Sequence, residues 1–211
     1  SDGRWTQQEK VLPNDSTVVF FGISVSLSER VAAIGAYPNS TYSLGAVFLF
    51  ERRADGRWTQ RQKLTTSKSV LNDGFGYPVL VSGNSVVVGA SFDDTQGRNA
   101  GAAYVFERQP FGPWIEKQKL LASDPAELDG FGGSMSISDG VLVIGAPAPP
   151  WVRGGKPATA YIYERQHTGV WTEQQKLQTS EQVTDDVFGI SVSVSDDDIM
   201  VGARRSANVD G

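Results

Sequence analysis

The stretch LDGFGGSMSISDGVLVIGAP, residues 128–147, sets three glycines around a phenylalanine and then turns from serine-rich to wholly apolar. Gly130-Phe131-Gly132-Gly133-Ser134, with Asp129 in front, has the composition of a phosphate-cradling loop. Such a loop works between a strand and the N-terminus of a helix, where backbone amides meet the anion. Here a second strand-like run follows instead, and no helical period is visible along the chain. The Phe-Gly pair also recurs, at Phe21-Gly22, Phe75-Gly76, Phe131-Gly132 and Phe188-Gly189, at intervals of 54, 56 and 57 residues. The glycines therefore read as parts of a repeated scaffold and not as a chemical site.

Other blocks keep the same period. Gly-Ala follows each Phe by fourteen residues, at Gly35, Gly89, Gly145 and Gly202. GAVFLFER (45–52), GAAYVFER (101–108) and ATAYIYER (158–165) form a third block, and a fourth starts at Trp5, Trp58, Trp114 and Trp171. In GISVSLS (22–28) serine alternates with apolar residues, the pattern of a strand with unlike faces. SVVVGA (85–90) and VLVIGA (141–146) are apolar throughout, as in strands covered on both sides. WTQRQKL (58–64) carries the charge expected of an outer edge. Connections as short as SGN (82–84) allow only antiparallel turns. The unit is a four-strand meander, a to d, with Phe-Gly on a and Trp on d.

Pro78 falls in the second a block and cannot donate to a central ladder, so a is the other edge. An edge of Gly and Ser is small enough to crowd around an axis, which predicts an all-β propeller with a innermost and d outermost. The chain reads as a single segment, 1–211, with units at 1–19 (outer strand only), 20–65, 75–121, 131–178 and 188–211 (incomplete). Fifteen strands are expected: a d strand at Trp5–Val11, three full units, then a and b.

With a hydrophobic fraction of 39% and a charged fraction of 20%, the chain is globular in composition. A net charge of −5 without clustered Lys or Arg argues against nucleic acid. No apolar run reaches the length of a membrane span. Absence of cysteine excludes thiolate chemistry. The single histidine, His167, sits in a c–d hairpin without an accompanying nucleophile motif, so no enzyme is predicted. Asp73, Asp129 and Asp186, two residues before Phe, read as turn-fixing side chains.

The order Trp…Lys-Leu, Asp-x-Phe-Gly, Val-Val-Val-Gly-Ala, Gly-Ala-Ala-Tyr-Val-Phe resembles the FG-GAP repeat, the blade of integrin-α-type propellers, in its bacterial variant. The resemblance implies a seven-bladed propeller, a binding or adhesion role, and an extracellular, cell-surface or periplasmic location. Integrin-type blades often carry a calcium loop between a and b. Here those connections are SLSER (26–30), VSGN (81–84), SISDG (136–140) and SVSDDD (193–198), without an Asp-x-Asp-x-Asp-Gly arrangement and too short to wrap calcium; Asp196-Asp197-Asp198 reads as a solvated turn. No cofactor is predicted, with calcium left open as an alternative despite the absent integrin-type loop.

Where the repeats disagree, function is expected. The b–c and d–a loops share one face, and the b–c loops differ most: YPNSTYSL (37–44), SFDDTQGRN (91–99), PAPPWVRGGKP (147–157) and RRSANVDG (204–211). Variable loops on a rigid scaffold are where binding resides. The expected ligand residues are Tyr37, Tyr42, Phe92, Asp93, Asp94, Arg98, Trp151, Arg153 and Arg204, with Asp93 and Asp94 as candidates for a weak cation site. The expected partner is a protein or glycan. The alternative is a structural repeat that self-associates through its incomplete terminal blades.

Overall fold

The computed structural model of the protein describes residues 3–36, 44–66, 71–110, 112–148, 157–179 and 186–205, the side chains of Asp186 and Arg205 excepted. The first blade comprises β1 (Phe21–Ser28), β2 (Val31–Ala36), β3 (Ala46–Arg52) and β4 (Trp58–Leu64). The second comprises β5 (Val79–Ser82), β6 (Ser85–Ala90), β7 (Ala102–Arg108) and β8 (Trp114–Leu120). The third comprises β9 (Ser134–Ser138), β10 (Val141–Ala146), β11 (Thr159–Arg165) and β12 (Trp171–Leu177). The fourth holds β13 (Asp186–Ser195) and β14 (Asp198–Arg205). Within each blade neighbours in sequence pair antiparallel. Successive blades meet through their inner strands β1, β5, β9 and β13. The described residues are all β, an open β-propeller of repeated meanders, and none of their helices could cross a membrane because there is none.

The first three blades are held first by their own aromatics. Phe75 stands edge-on to Tyr104 and Phe106, with ring centroids 5.6 and 6.1 Å apart. Phe21 meets Phe48 and Phe50, and Phe131 meets Tyr161 and Tyr163, in the same geometry. Edge-to-face pairs add about 0.5–1.5 kcal/mol beyond area burial. Blades then stack in one polarity. The aliphatic side of blade one (Val31, Ala33, Val47, Leu49) packs on the aromatic side of blade two (Phe75, Val86, Val88, Tyr104, Phe106). Blade two repeats this against blade three with Val87, Ala103 and Val105.

Polar joints fix the register between blades. Serines of the a strands reach the next blade: Ser24 and Ser26 Oγ accept the Val79 and Val81 N–H groups at 2.9 Å. Ser136 accepts from Val194 at 3.0 Å. On the outer rim, Gln62 Oε1 accepts the Trp114 N–H while its Nε2 donates to the Trp114 carbonyl, at 2.8 and 2.7 Å. Gln118 grips Trp171 identically, at 2.9 and 2.7 Å. A bulge precedes each glutamine, where the register shifts between Leu49/Phe50 and between Val105/Phe106. An inserted residue re-aims the strand, and here it turns the amide toward the next blade.

Two expectations need correction. Trp5–Val11 forms no strand, and Trp5 is wholly exposed. A strand needs a ladder partner, and no c strand lies beside this segment among the described residues. Yet Glu9, four residues after Trp5 as Gln62 is after Trp58, accepts the Trp58 N–H at 3.0 Å. Val11 joins the first blade's aromatic cluster. The segment thus makes the rim joint without being a strand. Pro78 lies just before β5 and not within it; its carbonyl accepts the Gly89 N–H at 2.8 Å.

The rim joint is testable. Gln118→Leu leaves the buried Trp171 amide unpaired and is expected to cost about 1–3 kcal/mol. For a chain of this size that lowers Tm by roughly 2–4 °C per kcal/mol. Gln174→Ala, whose side chain reaches only Thr172 on its own strand, is expected to shift stability by less than about 0.5 kcal/mol. Thermal unfolding of the two variants side by side decides it.

Candidate functional site

Four of the nine expected ligand residues, Tyr37, Tyr42, Trp151 and Arg153, lie outside the described residues. The other five separate into two groups. Phe92, Arg98 and Arg204 line one cavity of about 460 Å³, together with Leu128, Asp129, Gly130, Gly133, Pro147, Val187 and Ile190. It draws on the b–c loop of blade two, the entry loop and β10 end of blade three, and both strands of blade four. Its lining is mostly apolar.

Asp93 and Asp94 do not join this cavity. Asp93 is turned inward and 2% exposed. Lys119 Nζ donates to both of its oxygens at 2.9 and 2.7 Å, the Tyr104 hydroxyl donates at 2.7 Å, and the Thr95 N–H at 2.9 Å. The Lys119 ammonium therefore occupies the position the cation-site expectation gave to a metal. Asp94 accepts the Asn99 N–H at 2.6 Å and shapes the loop. Among the described residues no cluster of three or more metal-ligating side chains occurs.

The lysine lock is a repeat feature that alternation and turn signals do not reveal. In blade one Lys63 pairs with Asp15 at 2.7 Å and lies over the Phe48 ring. In blade three Lys176 pairs with Asp124 at 2.9 Å, and the Tyr161 hydroxyl donates to the same aspartate. Asp15 and Asp124 stand in the loops that enter those blades. In blade two the aspartate comes instead from the b–c loop, so the lock ties the cavity's own loop to the outer strand. Burial pushes the Asp93 carboxyl up, but the hydrogen bonds from Lys119, Thr95 and Tyr104 outweigh it and hold it below the usual carboxylate range. Burial, then the bond to Asp93, pushes the Tyr104 phenol well above its usual range.

Why the cavity exists follows from aligning the repeats on Phe-Gly. Two residues after Phe stand Ile23, Tyr77 and Ile190, and in the third repeat Gly133. Ile23, Tyr77 and Ile190 are all large and 43–48% exposed. Gly133 removes one such side chain and leaves the space open. The Gly-rich stretch thus contains one glycine that the sister repeats do not share, against the reading of all of them as scaffold. Leu128 gives a second sign. It lies in the left-handed region at φ 66, where the second repeat has Asn72 at φ 70. Asparagine tolerates that conformation; a leucine there is strained, at about 1–2 kcal/mol. Leu128 and Gly133 line the same cavity.

The comparisons with known proteins agree with the repeat. A sequence-family model described as FG-GAP repeat matches residues 5–50, 58–106, 114–163 and 171–211. The chain belongs to the FG-GAP repeat family. Each FG-GAP match begins on a Trp, which opens an outer strand in the second, third and fourth matches, and the first three matches end in a c strand. The sequence unit is therefore offset by one strand from the physical blade, which runs from a to d. No curated protein matches the chain.

Two predictions follow from these contacts. Leu128→Asn trades partial burial for relief of strain, so Tm is expected to hold or rise; a fall beyond about 4 °C, more than about 1 kcal/mol for a chain of this length, would make Leu128 a core residue. Asp93→Asn is expected to cost on the order of 2 kcal/mol at pH 7, the loss of hydrogen bonds to a charged group. Asp93 has a folded value below its unfolded one, near 4. Its stabilisation is therefore complete above that range and is lost as pH falls through the folded value. Denaturant unfolding should show the gap between wild type and Asp93→Asn closing below about pH 4.

Proposed function

We propose that the chain is a non-enzymatic binding module of an exported or surface protein, and that the cavity over the third blade is its binding site. The observation that carries this is the coincidence of one break in the repeat with one strained residue. Gly133 opens space where the sister repeats hold Ile23, Tyr77 and Ile190, and Leu128 accepts a strained backbone at the same place. Ligand sites are typically mostly apolar concavities of about 300–1,000 Å³ with a few polar groups. Export and adhesion are supported by the resemblance of FG-GAP repeats to the blades of surface propellers.

The test uses the scaffold's own alternative. A Cβ at Gly133 would lie 3.0 Å from the Gly130 carbonyl and 3.4 Å from Pro147, so a side chain needs only a small adjustment. Gly133→Ile restores the residue of the first and fourth repeats and fills the cavity. Wild type and Gly133→Ile are compared on a glycan array and a random displayed-peptide library. Ligands of the wild type are expected to lose binding to the variant while its Tm stays within a few degrees. Equal retention by both proteins would place binding elsewhere.

One observation favours the structural alternative. Met200 is 76% exposed, while its equivalents Ala33, Val87 and Val143 are fully buried, and Val25 and Leu27 on the opposite end sheet are 68% and 65% exposed. Apolar end faces of this kind suit self-association. Light scattering across a concentration series distinguishes it: a constant monomer mass ends that reading, and mass growing with concentration supports it.

A further inference from the structure

We infer that the cavity takes a polypeptide segment carrying an aspartate or glutamate next to a large apolar side chain. This rests on the cavity being the binding site. Its walls divide by chemistry. Phe92, Leu128, Pro147, Val187 and Ile190 supply an apolar pocket, and Phe92 and Ile190 remain 45% and 44% exposed inside it. Arg98 comes from the blade-two loop and Arg204 from the end of β14, so two arginines line the pocket from opposite sides of blade three. Both are exposed, and neither enters an ion pair with a described residue. Elsewhere Arg61 and Arg108 share Glu51, and Arg165 holds Glu107.

The nearby carboxylates do not take over this role. Asp129 is 4% exposed and accepts the Ala126 N–H at 2.8 Å. Asp93 is committed to Lys119, and Asp94 to the Asn99 amide. Glu127 lies beside Gly97 without pairing with Arg98 among the described residues. Arg98 and Arg204 are cationic side chains on a chain of net charge −5, so long-range attraction of anions is absent. An acidic ligand is therefore recognised at short range, by charge-assisted and bidentate hydrogen bonds. A neutral glycan offers the arginines no carboxylate and its hydroxyls gain little from apolar walls, which disfavours it. A peptide with an apolar anchor and a neighbouring carboxylate uses both.

A random linear peptide library displayed on phage is selected on the wild-type chain, and recovered peptides are synthesised and titrated by calorimetry. The expected sequences pair Asp or Glu with Phe, Leu, Ile or Trp. R98Q/R204Q should weaken them at least about tenfold, or about 1.4 kcal/mol, with unchanged Tm. R98K/R204K should recover part of that loss, and Asn or Gln in place of the peptide's acid should reproduce it. Neutral or basic peptides, or acidic ones insensitive to R98Q/R204Q yet abolished by Gly133→Ile, overturn the ligand class and leave the site standing. A glycan whose binding Gly133→Ile abolishes, with no such peptide recovered, does the same. If neither library nor glycan array yields a ligand sensitive to Gly133→Ile, the site and the ligand class fall together.

Discussion

Gly89 has no room for a methyl group, because the carbonyl oxygen of Gly132 fills the space a Cβ would take. Gly35 meets Gly76, and Gly145 meets Gly189, in the same way. At Gly101 the obstruction is the backbone of Phe131 itself. Each blade thus sets its Phe-Gly step directly on the glycines of the blade before it, backbone against backbone. With the inner edge so close, each Phe reaches its own c-strand aromatics and the serine hydroxyls reach amides of the next blade. At the outer rim the glutamine clamps close the joint. The constant order of the four sequence blocks is the imprint of this contact.

A scaffold fixed so tightly at the axis makes its exceptions informative. The Phe-Gly glycines recur because close approach demands them. Gly133 recurs nowhere and has no such neighbour, since a Cβ there meets only ordinary or slightly tight contacts. The Asp–Lys lock behaves similarly. Blades one and three draw the aspartate from their entry loops, while blade two draws Asp93 from the b–c loop that walls the cavity. Asp93 is buried and Lys119 half-buried, so removing the lysine leaves the carboxylate poorly compensated. The lock holds the loop carrying Phe92 and Arg98 in place without facing the cavity itself.

The architecture was legible because its causes are periodic. Phe-Gly, Gly-Ala, the aromatic c block and the Trp block state the strands and their order before any coordinates. The expected strand at Trp5–Val11 failed for a reason no local pattern carries, the missing ladder partner, although Glu9 and Val11 still behave as their repeat equivalents do. The site was legible only in part. Phe92, Arg98 and Arg204 were expected from loop variability and share one cavity. Asp93 was misplaced because nothing local tells an exposed carboxylate from one buried under a lysine from a strand 26 residues away. Leu128, Val187 and Ile190 were missed. The signal for them was present in the misfit of FGG against FGI and FGY, and reading the glycines as one class concealed it.

The most direct measurement is amide chemical-shift mapping on the full chain with a ligand selected on the wild-type protein. The account predicts shifts clustered at Phe92, Asn99, Gly130, Gly133 and Ile190, with the turns at Glu29, Gly83 and Asp139 on the opposite face unmoved. Shifts concentrated at those turns, with Gly133 silent, would contradict it.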